Sequence, residues 1–217
     1  MIKSLGISYV NEVSFAVDLL AYKYLGFLND FKGRYYIIAN DPVVVSFIEK
    51  YHPNLISNLA PFVSPMIAMT KVVRNMYGKD VKVIYIGPEI ASKEEALRYP
   101  DESRVDAVIT FSELRQLLKE YGIEESNVEY SDFDPPISYK GSLYPIKNGF
   151  VQAADLDENL LTASMVSIEG KKEMLQATTE FETNINSIQR HLNISYGNSL
   201  NGPGISKQEN RLYKESL

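Results

Sequence analysis

The 217-residue sequence contains no cysteine and no tryptophan, and its only histidines are His52 and His191. Without cysteine the chain can form neither a disulfide nor a thiolate ligand for a metal, and it has no cysteine nucleophile. Two histidines are too few for a histidine-rich metal site. These absences say little about the cellular compartment, but they exclude three kinds of chemistry together.

Clusters of basic residues and long apolar runs are also missing. The formal net charge is −6, and lysine and arginine are spread along the chain, which argues against a nucleic-acid partner. No apolar run approaches the roughly 20 residues needed to cross a bilayer, and residues 1–6 lack the apolar core of a signal peptide. We therefore expect a soluble, cytoplasmic protein with no membrane partner.

The apolar residues, 45% of the chain, follow alternating helical and strand patterns. Asp41-Pro42 and Ser64-Pro65 each combine an N-cap side chain with a first-turn proline. Helices are predicted over 11–29, 42–51, 65–77 and 170–192, with a further helix capped by Ser112. Strands are predicted over 35–39, 81–86, 105–111, 165–168 and 194–196.

Strands that alternate with helices predict an α/β fold with a mainly parallel sheet covered on both faces. The stretch 124–149 is rich in Asp, Pro, Ser and Gly and is predicted to be a long excursion. We predict a single domain over 1–217, with approximate lobes 1–123 and 150–217 joined by this excursion.

The first two motifs lie at 39–53 and 59–66. Ala39-Asn40-Asp41-Pro42, with the helix end 49–53, resembles the Ser-Cys-Cys-Pro motif and the "EKYYPEL" segment in the C-terminal domain of the iron-only hydrogenase large subunit. The resemblance is to the sensor-type branch, whose members often continue into sensory domains. It places Asp41 at a cluster-ligand cysteine and Asn40 at the proton-relay cysteine. Ser64 matches the serine that opens the next helix in the second motif.

The other two motifs lie at 86–96 and 196–204. The first is similar to "PCxAKKxEA", with Glu89 at the cysteine, Ser92 at the lysine and Glu95 at the matching glutamate. The second is similar to "CEGCxNGPG", with Tyr196 and Ser199 in place of its two cysteines. The passages 105–111 and 133–136 also fit the sensor-type branch.

The resemblance implies two fused lobes with mainly parallel sheets flanked by helices, and an N-terminally shortened chain, since the family has an additional strand and helix start. It also implies an H-cluster, made of a 4Fe-4S cubane and a binuclear iron unit and held by four cysteines. Here those positions carry Asp41, Glu89, Tyr196 and Ser199. Oxygen ligands bind iron–sulfur clusters poorly, so we expect no cofactor, no metal and no catalytic residue.

The leading hypothesis is a non-catalytic hydrogenase-like domain with a regulatory, signalling or protein-interaction role. Its partner would be another protein or a fused sensory or ferredoxin-like domain. The simpler interpretation of Asp41 and Glu89 is that they stabilise helix starts, and His52 and His191 are predicted at helix ends.

Three alternatives remain. Asp41 and Glu89, with Glu95, could form a Mg²⁺ or Ca²⁺ site or an acid–base pair of a small-molecule enzyme. A partner chain could supply cluster ligands for hydrogenase activity. The chain could also be a fragment or a cysteine-free variant of an iron–sulfur protein.

Overall fold

The computed structural model describes residues 1–30, 33–100, 103–146, 148–156 and 165–196. The helices are α1 (Ser14–Asn29), α2 (Pro42–Tyr51), α3 (Pro65–Tyr77), α4 (Ala91–Ala96), α5 (Phe111–Glu120), α6 (Gly149–Ala153) and α7 (Lys171–Thr183). The strands are β1 (Ile37–Ile38), β2 (Ile84–Gly87), β3 (Ala107–Thr110), β4 (Met165–Glu169) and β5 (His191–Ser195). Short 3-10 helices lie at Lys3–Leu5, Pro53–Asn58, Glu125–Asn127 and Lys140–Leu143.

Helices α2 and α3 begin and end where the sequence predicts. Asp41 caps α2, because its Oδ1 accepts a hydrogen bond of 2.8 Å from the Val43 N–H. Ser64 caps α3, because its Oγ accepts from the Ile67 N–H at 3.4 Å. A cap followed by proline favours a helix start locally, which is why both starts could be predicted from the sequence.

The start of α5 corrects one prediction, because Thr110 and not Ser112 is its N-cap. The Thr110 Oγ1 accepts from the Glu113 N–H at 3.2 Å, and the Glu113 carboxylate accepts from the Thr110 N–H at 2.7 Å. This reciprocal pair is a capping box, which satisfies two backbone donors where a lone serine would satisfy one.

The predicted helix 170–192 is shorter in the structure, and the placement of His191 at its end is wrong. Helix α7 ends at Thr183, and Asn184 is its C-cap, within a polar run of low helix propensity. His191 instead begins β5 and is buried, with its Nδ1 accepting from the Tyr36 N–H at 3.0 Å. Pairing with β1 and β4 therefore makes residues 191–195 a strand, although the helix predicted from the sequence extends to residue 192.

The strands form two parallel sheets, which confirms the α/β prediction. The larger sheet has the order β1-β5-β4, and the smaller sheet pairs β2 with β3. Strand β1 precedes the 124–149 excursion, whereas β4 and β5 follow it. The sheets therefore divide the chain differently from the predicted lobes 1–123 and 150–217, whose status as structural units stays a prediction.

Three clusters of buried hydrophobic residues form the core of the described part of the chain. One cluster packs α1 against α6, and a second packs α2 and α7 against β1 and β5. A third cluster contains Met66 and Ile67 of α3 with Ala96 of α4. None of the helices in the described ranges is long and apolar enough to span a membrane.

Candidate functional site

A cavity of about 760 Å³ lies beyond the carboxyl ends of β1, β2 and β5. Parallel strands present their following loops at one edge, which is where α/β proteins commonly bind ligands. The structure brings to this cavity six of the residues singled out from the sequence: Asn40, Asp41, Ser64, Glu89, Ser92 and Glu95. Ser199 lies outside the described residues.

Asp41 joins two strand ends through its carboxylate. Its Oδ1 accepts from the Val43 N–H, and its Oδ2 accepts from the Tyr196 N–H at 3.0 Å. Tyr196 directly follows β5, so this contact links the first and the last motif identified from the sequence. Burial raises the pKa of Asp41, and the backbone N–H groups of Val43, Tyr196 and Val44 partly oppose that rise.

Replacement of Asp41 by alanine is expected to lower the free energy of unfolding by about 2 kcal/mol, because one cap and one inter-segment hydrogen bond are lost. Asp41→Asn keeps an acceptor for Val43 and removes a buried charge, so its loss is expected to stay below about 1 kcal/mol. Urea unfolding at neutral pH measures both. An Asp41→Ala protein as stable as the wild type would show that the cap and the contact with Tyr196 together give no net stabilisation.

Glu89 and Glu95 lie close enough to Asp41 for their charges to interact. Burial, followed by the charges of Asp41 and Glu95, raises the pKa of Glu89 to about 8. Burial also raises the pKa of Glu95 to about 7, against the hydrogen bond from Ser64 and the charge of Arg98. Like charges that cannot all ionise retain protons near neutral pH, which makes these carboxyl groups suited to proton exchange or to binding a cation.

The described residues contain no group of three or more histidine, cysteine, aspartate or glutamate side chains placed to hold a metal ion. The Oε2 atom of Glu95 is buried and has no hydrogen-bond partner in the described part of the chain. Asp41, Glu89 and Glu95 therefore line one cavity and their charges interact. Among the described residues, Oε2 of Glu95 has no donor and could accept a hydrogen bond.

Two tyrosines at this site were not identified from the sequence. Tyr85 of β2 and Tyr144 both line the cavity, and the pKa of each is raised, first by burial and then by the nearby carboxylates. A Cβ at Gly87 would lie 2.5 Å from the Tyr85 ring, so glycine leaves room for that ring. Gly87, two residues after Tyr85 on the same strand, is the sequence feature that could have drawn attention to Tyr85. Tyr144 lies in the excursion, where no pattern indicates a site.

Asn40 is 7% exposed, and the oxygen of its side-chain amide is hydrogen-bonded to a core residue. Its Oδ1 accepts from the Tyr24 hydroxyl at 3.2 Å, whereas its Nδ2 has no partner among the described residues. Ser92, in α4, is also buried against the cavity. The site therefore contains a buried donor as well as buried acceptors.

His52 lies apart from this cavity. It is the C-cap residue of α2, as predicted, and its backbone N–H donates to the Ile48 carbonyl at 2.9 Å. Its ring Nδ1 lies 2.6 Å from Oε2 of Glu182 in α7. The imidazole therefore serves a contact between two helices.

The family model described as "Iron only hydrogenase large subunit, C-terminal domain" matches residues 1–198. Among solved structures, the [FeFe]-hydrogenase HydA(deltaEFG), studied for stepwise H-cluster assembly, is 16% identical with a TM-score of 0.73. A variant of [FeFe]-hydrogenase HydA1 from Chlamydomonas reinhardtii is 13% identical, also with a TM-score of 0.73. Both matches cover 99% of this chain and 75% of the other, and at this identity they show a shared fold.

Proposed function

Because the chain belongs to the family defined by the C-terminal domain of the iron-only hydrogenase large subunit, we propose that it is a non-catalytic member of that family. It keeps the hydrogenase fold, binds no H-cluster, and acts as a regulatory, signalling or protein-interaction module. Fold alone does not fix function, so the proposal depends on the chemistry of the site.

The residues at the cluster positions do not fit the H-cluster. The family resemblance implies thiolates where this sequence has Asp41, Glu89, Tyr196 and Ser199, and the whole chain has no cysteine. Soft thiolate ligands hold iron–sulfur clusters, whereas carboxylate and hydroxyl oxygens suit hard cations. Both oxygens of Asp41 also accept backbone hydrogen bonds already.

The observation that carries the proposal is the hydrogen bond from the Tyr196 N–H to the Asp41 carboxylate. In the family, cysteines at these two motif positions are bridged through the cluster. Here a side chain of the protein connects the same two positions directly. The fold therefore has a substitute for the link that the cluster would supply.

The residues that shape the scaffold have been kept, whereas the ligand positions have changed. Pro42, Ser64 and Pro65 match the family motifs and begin α2 and α3. A chain that keeps a folded scaffold without cluster ligands suits a binding role, because binding needs the surface and the cavity but no redox centre.

Metal analysis of the purified protein tests this proposal. After anaerobic reconstitution with iron and sulfide, we expect no stoichiometric iron by mass spectrometry, no iron–sulfur absorption and no hydrogen evolution. Stoichiometric iron with hydrogen evolution would contradict the proposal and indicate ligands from a partner.

Binding of magnesium or calcium would contradict the proposal differently. Stoichiometric binding that is lost in Glu89→Gln would favour a carboxylate enzyme in the cavity. Glu94→Gln is the matched control, because Glu94 lies on α4 beside Glu95 but is exposed.

A further inference from the structure

We propose that the cavity binds an organic amine that has a neutral oxygen near its amino group and an apolar body. The protonated amino group lies among Asp41, Glu89 and Glu95, and the apolar body lies along β2, β3 and α5. This inference rests on the proposed function, because an iron–sulfur cluster would occupy the same space.

The charge of the cavity favours a cation. The acidic residues that line it are Glu12, Asp41, Glu89, Glu95 and Glu169, whereas Lys82 is the one basic residue among the described lining residues. Lys82 is paired with Asp106 at 3.1 Å.

Glu12 and Glu169 are already engaged. Glu12 accepts from the Ser138 N–H and hydroxyl, and Glu169 accepts from the Asn148 N–H at 2.7 Å. The carboxyl groups of Asp41, Glu89 and Glu95 therefore remain available to an ammonium group, whose positive charge would favour their ionised forms.

Two buried polar atoms indicate what else the ligand carries. The Glu95 Oε2 atom has no partner in the described ranges, and it would accept from an ammonium N–H. The Asn40 Nδ2 atom also lacks a partner there, and Asn40 is one of the residues that line the cavity. It would donate to a hydroxyl or amide oxygen of the ligand. A ligand carboxylate is disfavoured by the three acidic side chains.

Much of the remaining cavity wall is apolar. This part of the wall is formed by Val83, Ile84 and Ile86 of the β2 segment and by Ile109, Phe111, Leu114, Leu117 and Tyr121. Phe111 is 45% exposed and Tyr121 is 71% exposed, so this wall is incompletely covered in the described structure. A small cation would leave it uncovered, whereas a cavity of about 760 Å³ has room for a ligand with an apolar body.

Calorimetry with phenylalaninol as the probe tests the inference. This amino alcohol carries an amine, a hydroxyl and an aromatic body, and 3-phenylpropanol and 3-phenylpropanoate are its neutral and anionic counterparts. We expect phenylalaninol to bind at least about tenfold more tightly than the alcohol, and the anion not to bind, because the amine supplies the charge interaction.

Glutamine variants of the cavity glutamates test whether these side chains bind the amino group of phenylalaninol. Glu89→Gln and Glu95→Gln are each expected to weaken phenylalaninol binding about tenfold and to leave binding of the alcohol unchanged. Glu94→Gln should bind like the wild type. Equal affinity for the amine and the alcohol, or unchanged amine binding in both cavity variants, would overturn the inference.

Iron analysis of the same samples separates the two proposals. A sample that holds stoichiometric iron after reconstitution contradicts the proposed function itself. Iron-free, folded protein that does not distinguish the amine from the alcohol contradicts the amine site alone. Circular dichroism of each glutamine variant confirms that it is folded, which is expected because each substitution removes a buried charge.

Discussion

A variant with cysteine at all four motif positions is expected to become an iron–sulfur protein. The combined substitutions are Asp41→Cys, Glu89→Cys, Tyr196→Cys and Ser199→Cys. After anaerobic reconstitution this protein should hold about four iron atoms per chain, because four thiolates are the usual ligands of a 4Fe-4S cluster. Iron and sulfide analysis and the visible absorption spectrum measure the uptake.

The structure supports this expectation at three of the four positions. The Tyr196 N–H lies 3.0 Å from the Asp41 carboxylate, and the charge of Asp41 contributes to the raised pKa of Glu89. Asp41 and Glu89 therefore line one cavity, and Tyr196 contacts Asp41 at its edge through the backbone. The expected difference between the variant and the natural sequence therefore lies in the donor atoms, because thiolates hold iron–sulfur clusters better than oxygen ligands do.

A serine quartet at the same positions is the control, because serine has the size of cysteine but offers oxygen in place of sulfur. It should take up no stoichiometric iron. If the cysteine quartet is folded by circular dichroism and yet binds no more iron than the serine quartet, then the cavity has diverged in geometry as well as in ligands.

The stability of the wild-type protein is expected to fall as the pH rises, because of Glu89. Its pKa is about 8 in the folded protein, against an ordinary value of 4.5 for a glutamate in water. The folded state therefore keeps a proton that the unfolded state has lost. The stabilisation is fully present below the unfolded pKa and is lost as the pH rises through the folded pKa.

Glu89→Gln should remove the part of this dependence that Glu89 contributes, because glutamine resembles the protonated carboxyl group at every pH, whereas Glu95, with a pKa raised to about 7, keeps its own contribution. One pKa unit corresponds to about 1.4 kcal/mol, and side-chain relaxation and water entry reduce the full shift. We expect the variant to match the wild type at about pH 4, below the unfolded pKa, and to be more stable by about 2 kcal/mol at about pH 8.5. Urea unfolding at both pH values measures the difference.

Other ionisable groups around Glu89 could also contribute to the pH dependence of stability. Asp41 and Glu95 interact with Glu89. Burial, followed by the charges of nearby carboxylates, raises the pKa of Tyr85 and of Tyr144, so both tyrosines stay protonated in this range. Glu94→Gln removes one exposed charge whose pKa is lowered, so its stability should run parallel to the wild type. A Glu89→Gln protein with the wild-type pH dependence would show that Glu89 ionises normally.

Asp41 illustrates how one residue serves both the local and the distant structure. Its capping of α2 could be predicted from the Asp-Pro pair, since the acceptor and the Val43 donor are two residues apart. Its second hydrogen bond goes to a residue 155 positions away, and sequence spacing gives no information on such a contact. The capping interpretation of Asp41 is therefore correct but incomplete.

The sequence by itself determined which side chains stand at the four positions that match the family's cluster cysteines. It also determined the helix starts at Pro42 and Pro65 and the α/β class. Composition is independent of folding, and caps and periodicity act over a few residues. Only the tertiary structure decided that Glu89 and Glu95 share a cavity with Asp41, and that His191 belongs to a strand. The raised pKa values of the two glutamates likewise depend on burial and on charges from separate segments. These properties arise because elements distant in sequence pack together, and local periodicity shows which face of an element is buried but not which distant segment it meets.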